Sequence, residues 1–139
     1  MFSSLRTILE SEALRLVRAR MTPEILAALE KLIAQMDAWN GTLLEAAGLD
    51  LEFHRTLWKA SGNPYLERAL NSVMITLFAH MALEHVTKDV SRWRMGHHRV
   101  LLDAITGRSG DDPQEMLLTH MRMAYAEPEG YSTLVKNPS

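Results

Sequence analysis

Asp50-Leu51-Glu52-Phe53-His54-Arg55-Thr56-Leu57-Trp58-Lys59-Ala60-Ser61-Gly62-Asn63 reads as one helix that carries its own stop signal. Phe53, Leu57 and Ala60 recur at helical spacing, and Ser61-Gly62 breaks the pattern. Asp50 and His54 stand four positions apart, so they share a helix face beside that apolar stripe. Both side chains should therefore border the core, where a carboxylate and an imidazole need partners. An isolated D-x-x-x-H of this kind is ordinarily a satisfied hydrogen-bonded pair. Histidines on other apolar faces of the chain change that balance.

On the N-terminal side, Leu5, Ile8, Leu9, Ala13, Leu16 and Val17 give a first helix to about Arg20. Thr22-Pro23 supplies a cap and a first-turn proline, and Ile25, Leu26, Leu29, Leu32, Ile33 and Met36 follow on one face until Asn40-Gly41. On the C-terminal side, Asn63-Pro64 repeats the cap-plus-proline signal and opens a long helix with Leu66, Leu70, Val73, Met74, Leu77, Phe78 and Met81. That helix is apolar over a wide arc, as a central one would be. The polar segment from His85 to Val90 reads as a turn, with Ser91 capping a helix that presents Met95, His98, Leu101, Leu102 and Ile105 and ends at Gly107. Asp112-Pro113-Gln114-Glu115 then combines a cap, a proline and a capping-box glutamate ahead of Met116, Leu117, His120, Met121 and Ala124. No alternating strand pattern occurs. The expectation is an all-α antiparallel bundle of six or seven helices with a central metal and ligand pocket. Residues 1–126 form the helical domain, and 127–139 are a polar tail with little to order it.

A chain of 139 residues with 47% apolar residues is one domain, able to bury roughly two-thirds of its unfolded surface. Cysteine is absent, which excludes disulfides and thiolate metal sites. The formal charge of −2 and the lack of any Lys/Arg block argue against nucleic-acid binding by this chain. The N-terminus is too weakly apolar for a signal peptide, and no apolar run reaches membrane-spanning length. These features set the expectation of a cytoplasmic protein with no membrane contact.

Three of the six histidines, His54, His98 and His120, fall in apolar stripes on three different helices, and Asp50 joins them one turn from His54. One divalent metal would satisfy several buried imidazoles at once. Three imidazoles and a carboxylate suit a transition metal, zinc first, with nickel, manganese and iron also compatible, whereas calcium and magnesium prefer oxygen-rich shells. His80 and His85 fall off the best stripe and His97 is one position out of phase with Leu101 and Leu102, so all three read as surface residues or as residues behind the ligands.

Asp50-x-x-Phe53-His54-x-x-Leu57 followed by Ala60-Ser61-Gly62-Asn63-Pro64 resembles the signature of the FCD domain, the C-terminal effector-binding domain of FadR-subfamily GntR transcription regulators. His98-Arg99-Val100-Leu101-Leu102-Asp103-Ala104-Ile105, His120-Met121 and the opening Leu5-Arg6-x-x-Leu9-Glu10 are similar to further segments of that family. The resemblance implies the metal-binding branch, with Asp50, His54, His98 and His120 as ligands and His98 chosen over His97. It also implies a pocket at the metal's remaining positions for a small carboxylate or sugar-acid effector, and a homodimer. Arg6 resembles a first-helix arginine that faces this pocket in relatives; from the residues alone it is an exposed arginine on an amphipathic helix. Met74 and Phe78 on the fourth helix complete the candidate effector contacts. The loop Gly107 to Asp112 and Met116-Leu117-Leu118-Thr119 are bulkier than the family pattern, which bears on the pocket floor.

Such regulators carry a winged helix-turn-helix domain ahead of the FCD domain, and this chain begins almost directly on the first FCD helix. DNA would then be read only through a domain outside this chain, and both a longer regulator and a stand-alone domain stay open. The rival class is a helical metalloenzyme using the same Asp/His3 site for hydrolysis. It would want a general base beside the metal, and Glu52 falls on another face with no H-E-x-x-H motif present. The function expected is therefore a metal-dependent organic-acid sensor and dimerisation domain of a GntR-family regulator, without catalysis.

Overall fold

Three short signals punctuate the chain into helices whose apolar faces can close on one another. Thr22 caps one start, its hydroxyl accepting from Ile25 N at 3.2 Å with Pro23 in the first turn. Thr42 caps the next by accepting from Glu45 N at 3.1 Å. Asn63 Oδ1 accepts from both Tyr65 N and Leu66 N at 3.1 Å ahead of Pro64. Gly62, at φ 76°, makes the left-handed turn between the second and third of these starts.

The structure is a computed structural model describing residues 2–81 and 88–125, and the side chains of residues 4–75 and 91–122. It contains α1 (Phe2–Arg20), α2 (Pro23–Asp37), α3 (Leu43–Ala60), α4 (Pro64–Met81), α5 (Lys88–Thr106) and α6 (Pro113–Tyr125). There is no strand among the described residues, and the six helices form the expected all-α bundle. None of them is long and apolar enough to cross a membrane. The tail 127–139 and His85, with the side chains of Leu77, Phe78, His80 and Ala124, lie outside what is described.

α3 is the inner helix, packed against α1, α2, α4 and α5, while α6 closes on α1 and α5. Phe53, Leu57 and Trp58 of α3 are fully buried and meet a core drawn from Leu14, Leu29, Ile33, Leu70, Leu101, Leu102 and Leu117. Each such residue contributes about 1.5–3 kcal/mol through burial. Polar clasps fix how α5 lies on α2. Arg99 reaches Glu30 at 2.8 and 3.0 Å, Arg108 joins it at 2.9 Å, and Arg92 stacks over Trp39 at 5.2 Å. These pairs are half-exposed, so about 1 kcal/mol or less attaches to each.

Two local expectations need correction. Leu5 and Ile8 are 43% and 69% exposed, and the inward face of α1 is Arg6, Glu10, Ala13, Leu14 and Val17. Counting only apolar residues rotates this helix, because two charged residues head its buried stripe. Ser91 does not cap α5, which already begins at Lys88. Ser91 is buried in phase with Met95, His98 and Leu102, so the inward stripe begins a turn earlier than polarity suggests.

Candidate metal centre

Asp50 and His54 project from one face of α3, His98 from α5 and His120 from α6, and one ligand atom from each lies within 4.8 Å of all the others. His54 Nε2 is 2.9 Å from His120 Nε2, and Asp50 Oδ1 is 2.6 Å from His98 Nε2, 3.3 Å from His54 Nε2 and 3.7 Å from His120 Nε2. Bonds of about 2.1 Å would space neighbouring ligand atoms by about 3.0 Å in an octahedral shell and about 3.4 Å in a tetrahedral one. The observed separations bracket both. His54 and His98 are fully buried and His120 nearly so, while the Asp50 side chain keeps 24% exposure.

The opposite ring nitrogens hold the imidazoles in place. His98 Nδ1 donates to the carbonyls of Arg94 at 3.1 Å and Met95 at 3.2 Å, which leaves its Nε2 with the lone pair. That lone pair faces the Asp50 carboxylate at 2.6 Å. Two acceptors at this distance need a proton or a cation between them. His54 Nδ1 pairs with Glu10 Oε1, and His120 Nδ1 lies 3.3 Å from His97 Nδ1 with the two rings stacked. Phe53 sets its edge against His54 at 5.6 Å and His98 at 4.9 Å, walling one side with hydrocarbon.

The electrostatics of these side chains follow from their packing. Burial would raise the Asp50 carboxyl, but its hydrogen bonds to His120, His54 and His98 outweigh that and hold it well below the usual range. Burial would likewise lower His54, yet Glu10 and Asp50 push it up to about 9. Glu10, desolvated but paired with Arg6 and His54, is drawn down to about 2. Burial and the neighbouring His98 hold His120 well below its ordinary value, and the same two causes lower His97 to about 4.

The structure thus brings together all four residues singled out from the sequence. Of the candidate effector contacts, Arg6 and Met74 are buried and Phe78 lies outside the described side chains. Arg6 is 1% exposed, so its reading as an ordinary surface arginine is wrong; its Nε donates to Glu10 Oε2 at 2.8 Å. Glu10 is the residue sequence reasoning overlooked. Its signal was present, since positions 6, 10, 13 and 17 form one stripe ending in Ala13 and Val17. His97 proves to be the neighbour of a candidate ligand, as a residue behind the ligands would be. A separate open groove of about 770 Å³ between α2 and α3, lined by Leu32, Trp39, Leu49, Leu51 and Glu52 among others, includes none of the four.

A bundle that gathers one half-buried carboxylate and three buried imidazoles about a common centre defines a small helical domain with a metal-capable core. The model of the FCD domain family matches residues 2–123, and the chain belongs to that family. Membership places it among regulatory, ligand-binding domains of the kind found in GntR-type regulators. No match is found among curated proteins.

Proposed function

We propose that this domain is a metal-dependent sensor of small organic acids and the dimerisation unit of a GntR-type transcription regulator. DNA would be read by a winged-helix domain outside this chain. The observation that carries the reading is the convergence of Asp50 Oδ1 with imidazole nitrogens of His54, His98 and His120 within 4.8 Å. These four would hold one divalent transition metal, zinc first. Such an ion supplies Lewis-acid positions for oxygen ligands. The partial exposure of Asp50 leaves one side of the centre approachable, and three neutral imidazoles beside one carboxylate leave net positive charge for an anion.

A carboxylate with a neighbouring hydroxyl, as in hydroxy acids and sugar acids, matches that demand with two oxygens. Arg6, Met74 and Phe78 are the proposed effector contacts, residues 1–126 the functional unit, the homodimer its working state and the cytoplasm its compartment. The sensor is favoured over a hydrolase because Glu10, the one buried carboxylate beside the four among the described side chains, is already engaged by Arg6 and His54 and is a poor general base.

Elemental analysis of the purified chain tests the metal. One transition metal per chain, lost on Asp50→Ala, supports the reading, and a fully folded chain that takes up no zinc, nickel, manganese or iron overturns it.

A further inference from the structure

We propose that Glu10 is a positioning residue of the metal centre. Its carboxylate accepts a hydrogen bond from His54 Nδ1–H and commits the metal-bound ring to the tautomer whose Nε2 lone pair faces the centre shared with Asp50 and His120. The inference rests on the metal-binding reading above and assigns it a further residue, on a helix that carries none of the four ligands.

Glu10 is 1% exposed, and both its oxygens are in use. Oε2 accepts from Arg6 Nε at 2.8 Å within α1, and Oε1 meets His54 Nδ1 across 44 residues of sequence. With each oxygen pinned to a different partner, the carboxylate cannot swing, and neither can the imidazole it holds. A carboxylate that served only to neutralise Arg6 would not need the second contact. Burying a Glu–Arg pair is seldom the most stable solution, since hydrophobic replacements often match or exceed it. A bundle that keeps the pair gains something other than stability, and the atom it reaches indicates what.

His98 and His54 are held in different ways. His98 is oriented by carbonyls of its own helix, which α5 supplies without further residues. His54 draws its acceptor from α1, so Nε2 faces the other ligands only while α1 keeps its register on α3. A carboxylate on the outer nitrogen also makes the ring a stronger donor, and losing such a partner weakens metal binding by about 10–100-fold.

The test uses the full chain with zinc alone as probe. Zinc affinity is measured by competition with a chromophoric chelator for wild type, Glu10→Gln and Glu10→Ala. The His54 tautomer is read by long-range proton–nitrogen NMR of the zinc-loaded protein. Glu10→Ala should weaken zinc about 10–100-fold. Glu10→Gln, which keeps an acceptor oxygen, should recover part of the loss, and wild-type His54 should carry its proton on Nδ1. Should Glu10→Ala fail to fold because the buried Arg6 loses the Glu10 carboxylate, Arg6→Met with Glu10→Ala removes both charges and gives the same comparison. Wild-type zinc affinity in a folded chain without the Glu10 carboxylate, or a His54 proton on Nε2, overturns the proposal. Absence of zinc binding by wild type would instead overturn the metal reading itself.

Discussion

His54 and His120, 66 positions apart and on different helices, face each other through their Nε2 atoms at 2.9 Å. In the metal-free protein one of these nitrogens must carry a proton, and His54, pushed up to about 9, is the ring that keeps it. A divalent ion would take that proton's place, so one side-chain contact between α3 and α6 ties the fold to the proposed chemistry.

The first prediction separates adjacent histidines. His98→Ala should abolish metal occupancy by elemental analysis, because it removes the nitrogen 2.6 Å from Asp50 Oδ1. His97→Ala removes only the neighbour of His120 Nδ1 and should keep most of the metal. Equal losses would refute the choice of ligand.

The stability of the metal-free protein should peak near pH 6.5. His54 is raised from 6.5 to about 9, so the stability it contributes is complete below 6.5 and lost as pH rises toward 9. On the acid side, His120 and His97 are lowered and refuse protons that the unfolded chain accepts below 6.5. Glu10, lowered from 4.5 to about 2, adds a further loss as pH falls below 4.5. Saturating zinc should remove the alkaline decline, since a metal-bound His54 has already lost its proton. Urea titrations at pH 5, 6.5 and 9 check this, and a flat profile from 6.5 to 9 in chelator would contradict it.

The two faces of α1 should respond differently to truncation. Leu14→Ala, at a buried position, should cost about 2–5 kcal/mol. Ile8→Ala, at a 69% exposed position, should change stability of the monomeric unit by about 0.5 kcal/mol or less. Denaturant unfolding measures both, and a larger cost at Ile8 would mean that α1 is rotated from its place here.

Much of this arrangement was legible in the sequence because it depends on period and on local punctuation. Thr22-Pro23 and Asn63-Pro64 open helices where their chemistry requires, and Asp50, His54, His98 and His120 fall on inward faces that apolar neighbours define. The face of α1 was misjudged for a physical reason. The Glu10 carboxylate is buried between Arg6 and His54, and His54 is 44 positions away. Local periodicity cannot register a charge that a distant residue satisfies. The start of α5 was missed for a similar reason, since Ser91 is inside by its phase and not by its polarity.

The most direct test of the sensor reading is calorimetry across hydroxy acids, sugar acids and dicarboxylates, on zinc-loaded protein and on protein stripped by a chelator. At least one acid should bind the loaded protein and lose that binding on stripping. At about a hundredfold excess over its dissociation constant it should also stabilise the loaded form by about 2.7 kcal/mol. Equal affinities with and without metal would contradict the account, leaving any metal structural and the effector read by other residues.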